Sequence, residues 1–218
     1  MRFFKNKHVN WKYIVGEIVL LFVGINLAIW FNDWNASKTV QQNKEVALVK
    51  IKGEIEANLE ELVENGAINQ QIPSFYAEMD SLNGDDGKLI LTPTAMQNFM
   101  HRYPGYFSNV DSVAVGNGDY EYQVAAFVNL EITDLSSIAW EIAKSTGIFH
   151  EFGYDCLYDL QGLYNTQDLV KDELNKATDA LRDGSMRELI RILQILKQLE
   201  AQLENQYRDM IQNIDNCK

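Results

Sequence analysis

Cysteine, histidine and basic charge are scarce in this chain, and each scarcity removes a class of function. Two cysteines, Cys156 and Cys217, and three histidines stand among 218 residues. Even with His101 and His150 counted in, these are too few N and S ligands for a zinc site, so no metal is expected. In an exported domain the two cysteines form either one disulfide or two free thiols. Basic residues number 19 against 31 acidic ones, a net charge of -12. That sign opposes nucleic-acid phosphates and anionic lipid headgroups, so no nucleic acid partner is expected. Enzyme signatures are missing too: there is no G-x-S-x-G, no P-loop and no H-E-x-x-H. His150 near Cys156 is a poor thiol activator, because acidic neighbours make the thiolate scarcer. Asn83, Asp85 and Asp86 begin like a calcium loop but lack its later glutamate, so a solvated turn is expected. The expectation is a protein without catalytic residues, metal or cofactor.

What is present is one long apolar run. Residues 13–31 read YIVGEIVLLFVGINLAIWF, close to the ~20 residues that cross a bilayer core. The run is too long for the h-region of a signal peptide, contains Glu17, and is followed by no A-x-A site. Trp11 and Tyr13 mark one membrane interface, and Trp30 and Trp34 the other. Arg2, Lys5, Lys7 and Lys12 precede the span, and no basic residue follows it until Lys38. Basic flanks stay in the cytoplasm, so the N-terminus is expected inside and the acidic remainder outside. The expected division is a cytoplasmic tail at 1–11, a transmembrane helix at 12–33, a juxtamembrane helical stalk at 34–66 and an exported helical domain at 67–218.

Beyond Trp34 no breaker appears until Asn65-Gly66, which reads as a helix stop. Leu48, Ile51, Ile55, Leu59, Leu62 and Val63 mark one helical face along the way. Pro73 opens a short helix, and Thr92-Pro93 is an N-cap and N1 pair. SVAV and YEYQV flank Gly116-Asn117-Gly118-Asp119 as a small hairpin. Leu135, Ile138, Ala139 and Ile142 share a face of a helix ending at Gly147, and a further helix over 154–181 is interrupted near Gly162. Ser185 and Glu188 form a capping box ahead of Leu189, Ile192, Leu196, Leu199, Leu203 and Met210 at heptad spacing. This last seam pairs antiparallel with residues 38–64 or parallel with a second protomer. Aromatics crowd the middle insert, either capping the helix ends or presenting a patch to a partner.

The fold class is therefore mainly α. An N-terminal transmembrane helix continues into a long helix, followed by an antiparallel helical-bundle-like domain with an irregular middle insert.

The span also carries a resemblance. Lys12-Tyr13, Gly16-Glu17-Ile18, Leu20, Gly24-Ile25, Ala28, Asn32 and Trp34-Asn35 resemble an uncharacterised family of bacterial single-span inner-membrane proteins. The resemblance covers about 35 residues and implies an anchor plus an exported helical domain, with no activity assigned. The chain departs from that pattern at Asn26 and Trp30.

Within the span Gly16, Leu20, Gly24 and Ala28 fall on one stripe, with Glu17 at its side. Gly24 and Ala28 are a small-xxx-small pair that allows close helix approach. Glu17 is an intramembrane acid of the kind that faces protein or water. Asn26 lies on the opposite side as a possible partner contact. These features point to helix association in the bilayer, as a homo-oligomer or as a subunit of a membrane complex. The expected role is a membrane-anchored periplasmic scaffold or accessory subunit. A stalked sensory or ligand-binding domain with a separate signalling partner is the alternative. A cysteine placed at Ser37 is expected to react with an impermeant maleimide in intact spheroplasts. Reaction only after lysis would contradict the N-in topology.

Overall fold

The computed structural model describes residues 11–84 and 86–217. Arg2, Lys5, Lys7 and Asp85 lie outside the described residues, as does most of the basic tail.

One helix organises the chain. α1 (Trp11–Asn69) runs for 59 residues without a break, about 90 Å at 1.5 Å per residue. Its most apolar 18-residue window has mean hydropathy 2.3, and none of that window is covered by the rest of the chain. By length and composition it is a candidate membrane span. Farther along, apolar residues retreat to one face, and Leu48, Ile51, Ile55 and Leu62 are buried. The expected stop at Asn65-Gly66 does not occur. Gly66 stays helical and sits against another helix, where a Cβ would lie 3.1 Å from Glu200 Oε2. This glycine serves close approach rather than a left-handed cap.

The middle insert follows. α2 (Gln71–Leu82) leads to β1 (Leu89–Leu91) and α3 (Pro93–Arg102). The Thr92 hydroxyl caps α3 by accepting from Ala95 N at 3.2 Å. β2 (Phe107–Gly116) and β3 (Asp119–Ala126) form a hairpin longer than expected, and β1 joins the far side of β3. Asn117 at φ 55° and Gly118 at φ 86° are both left-handed, the turn geometry that suits the twist of paired strands. The crowded aromatics cap the core: Phe75 stacks on Phe99 at 5.5 Å and meets Tyr106 at 4.7 Å, and all three are buried.

Three more helices complete the domain: α4 (Ile138–Ser145), α5 (Tyr154–Arg182) and α6 (Met186–Asn213). α5 is not interrupted at Gly162. α4 turns a different face inward from the one its spacing suggested. Trp140 and Ala143 are buried while Ile138 and Ile142 stay exposed, because Trp140 stacks flat on Tyr164 at 5.4 Å. The α6 seam lies inside the protomer, with Leu189, Leu196 and Leu203 fully buried. α6 runs antiparallel to α1, as Gln70 bonds the Leu193 carbonyl and Gly66 faces Glu200. α6 starts where expected, but Ser185 makes no side-chain cap. Instead Gly184 at φ 70° ends α5, and Ser185 N donates back to Ala180 O at 2.9 Å. This is the Schellman closure of the preceding helix. Glu188 pairs with Arg191 instead. Cys156 and Cys217 are disulfide-bonded, tying the C-terminal turn to the start of α5.

Between β3 and α4 the chain runs extended past α1 with no strand partner. Side chains of α1 supply the missing ladder. Asn69 donates to Glu131 O and accepts from Glu131 N, both at 2.8 Å. Asn58 does the same at Ser136, at 2.7 and 2.8 Å. Glu61 accepts from Asp134 N at 2.7 Å, and Glu54 from Ala139 N at 2.7 Å. The match is metric. Eleven residues of helix and five of strand both span about 16.5 Å. Gln167 of α5 donates to the Leu135 and Ser136 carbonyls, and its oxygen accepts from Tyr207 of α6 at 2.7 Å. Asn58→Ala strands the Ser136 N–H, while the Ser136 carbonyl keeps its bond from Gln167, and the change is expected to cost about 1–3 kcal/mol. Urea unfolding of the full chain checks this against exposed Asn43→Ala. A loss below ~0.5 kcal/mol would mean that water replaces the asparagine.

Candidate functional site

The N-terminal half of α1 has the exposed surface that a binding site needs. Gly16, Glu17, Leu20, Gly24 and Ala28 are all exposed, and nothing stands within 4 Å of a Cβ built at Gly16 or Gly24. Gly24 and Ala28 therefore leave room for another helix. Asn26 is exposed as well, and its amide donates to Phe22 O at 2.7 Å. That bond satisfies part of its polarity within the helix. Trp11, Tyr13, Trp30 and Trp34 are exposed at the two ends of the apolar run. Trp34 contacts Phe31 at 5.9 Å and carries Lys38 Nζ over its ring at 5.8 Å. Such a cation–π pair suits a boundary where an apolar ring meets water.

Farther along α1 lies an apolar groove of about 680 Å³. Val46, Ala47 and Lys50 of α1 form one wall, and Ile138 and Ile142 of α4 the other. Val46 is 60% exposed and Ile138 68%, so this apolar surface has no cover in the protomer. Glu54 lines the same groove and is held rigidly. It accepts from Ser136 Oγ at 2.9 Å and from Tyr164 OH at 2.7 Å, besides the α4 amide. Burial, reinforced by Glu54, pushes the Tyr164 phenol well above its ordinary range. Periodicity alone could not reveal the groove, because Ile138 and Ile142 read as core positions. The exposed Val46 on the polar side of α1 was the available signal.

A second groove, of about 770 Å³, lies between α5 and α6. Tyr158, Gln161 and Asn165 face Gln206 and Asp209 across it. The disulfide at Cys156 braces the α5 end of the pair.

Among the described residues no group of three His, Cys, Asp or Glu side chains is placed to hold a metal ion. Cys156 is in the disulfide and has no thiol to offer. Asp86 bonds Lys88 N within its own turn.

No family model matches the chain, and no solved structure shows a significant match. Part of the chain is similar to a curated apolipoprotein N-acyltransferase of Vibrio vulnificus (strain CMCP6), at 30% identity over 112 residues. The match covers 50% of this chain and spans only 20% of that protein's length.

Glu200 is the one strongly perturbed carboxylate among the described residues. It is buried between α6 and α1, Oε1 has no partner, and desolvation pushes its carboxyl from 4.5 up to about 7. The folded state keeps this proton where the unfolded chain has lost it. The contribution of Glu200 to stability is therefore full below pH 4.5 and is lost as pH rises through about 7. Glu200→Gln is expected to flatten that decline and to be more stable than the parent by roughly 2 kcal/mol at pH 8. Parallel pH profiles of unfolding for the two proteins would contradict this.

Proposed function

We propose that this chain is a membrane-anchored interaction protein of the periplasm. It acts as a scaffold or accessory subunit that self-associates or joins a larger complex of the bacterial inner membrane. One observation carries the reading: a single unbroken helix bears an open small-residue face in the apolar run and enters the domain core at its other end. A contact made in the bilayer is thereby coupled to the domain without a hinge. The acidic remainder and the disulfide suit an exported compartment, where thiols oxidise. The resemblance of the Lys12 to Asn35 segment to single-span inner-membrane proteins agrees with this placement. We read the chain as a binding protein rather than an acyltransferase, since the similar region spans 20% of that enzyme. The alternative of a stalked ligand-binding domain draws on the groove between α5 and α6, whose amide, carboxylate and Tyr158 lining suits a polar ligand.

Native mass spectrometry after detergent extraction tests the proposal. The parent is expected as a discrete oligomer or with a co-purifying subunit. Gly24→Leu or Ala28→Leu is expected to weaken that association roughly tenfold by blocking close backbone approach. Glu17→Gln should have a smaller effect if the acid serves only as a hydrogen-bonding group. A bare monomer for the parent, unchanged in all three variants, would contradict the proposal.

A further inference from the structure

α1 carries two seams. One faces the core through Leu48, Ile51 and Ile55. The other lies on the opposite side of the helix and is exposed throughout. Its positions alternate at intervals of three and four from residue 18 to residue 53. Ile18, Ile25, Asn32, Thr39, Val46 and Gly53 hold one row, and Leu21, Ala28, Asn35, Gln42 and Val49 the other. That is heptad a and d spacing.

We infer that two copies of this chain pair in parallel along this outward face, in a coiled-coil seam that begins in the span and continues beyond Val49. The inference rests on the self-association reading above and specifies its partner and register.

Several observations converge on a second copy as the occupant. Val46 and Val49 are 60% and 67% exposed, and the protomer's own fold makes no use of them. Gly53 has nothing within 4 Å of a built Cβ, so a neighbouring helix can approach there. Charge is complementary at the flanks. Glu45 takes the g position and Lys50 the following e position, the pair that meets across a parallel dimer. Lys50 makes no ion pair among the described residues, and Glu45 accepts only the Gln41 amide at 3.2 Å. Two copies therefore gain two Glu45–Lys50 pairs by symmetry. Common anchoring in one membrane makes the helices parallel, and Asn32 at an a position favours pairing with its own copy in one register. The apolar groove continues the same face, since its α1 wall includes Val46 and Lys50. Ala28 belongs to the seam, Glu17 and Gly24 flank it, and Gly16 and Leu20 lie off it.

Cysteine cross-linking of the full chain in membranes tests this, with the native disulfide left in place. Val49→Cys and Gln42→Cys should form oxidised dimers at several times the yield of Gln41→Cys, which is exposed but off the seam. Lys50→Glu should lower the dimer fraction, with an association roughly tenfold weaker. Glu45→Lys combined with Lys50→Glu should restore it. Equal yields at Gln41 and Gln42, or no rescue by the double reversal, would overturn the seam. An oligomer by native mass without these cross-links would overturn the seam alone and leave the general reading standing. A monomer with no co-purifying subunit would overturn both.

Discussion

The unbroken course of α1 is the constraint on which the rest of this structure depends. One helix is a candidate membrane span at one end and a core element of the domain at the other. Over residues 13–31 its surface is apolar except at Glu17 and Asn26, and its main-chain polar groups bond along the helix. Over residues 48–69 one face, with Leu48, Ile51, Ile55 and Leu62, is buried as the floor of the domain core. No turn or glycine hinge separates the two regimes, since Gly53 and Gly66 are both helical. Whatever the N-terminal face touches is therefore mechanically continuous with the core.

The core face of α1 carries polar residues that would destabilise it if left unpaired. Asn58 and Asn69 are buried, and a bare amide there costs a few kcal/mol. The chain at 127–137, between β3 and α4, has the complementary defect, a run of main-chain donors and acceptors with no neighbouring strand. Each satisfies the other, and Gln167 and Tyr207 bring α5 and α6 into the same network. The disulfide adds a separate constraint. It joins residues 61 apart, worth about 4 kcal/mol on the chain-entropy account. The middle insert then hangs from this frame through the Phe75 cluster.

Much of this was legible from residue patterns where a local rule dominates. Heptad spacing identified the α6 seam, Thr92-Pro93 the start of α3, and Gly116-Asn117-Gly118-Asp119 the hairpin turn. Legibility ended where tertiary contact overrode local preference. Asn65-Gly66 looked like a stop, yet Gly66 is needed for the approach of Glu200. Ser185 and Glu188 looked like a capping box, yet the tight turn spends Ser185 N on the Schellman closure. Ile138 and Ile142 looked like core, yet Trp140 has the larger surface to bury and decides which side of α4 faces inward. The asparagine ladder left no trace in periodicity, because a polar residue on a helix reads as solvent-facing until its partner 62 or 78 residues away is known.

Distance across the junction tests the central claim of continuity most directly. Spin labels on cysteines at exposed Ser37 and Val63, in protein diluted with unlabelled chain in lipid nanodiscs, report on α1 on both sides of the point where it enters the core. A continuous helix places these positions about 39 Å apart in one narrow distribution. A broad distribution centred well below that distance would mean that a hinge separates the span from the domain.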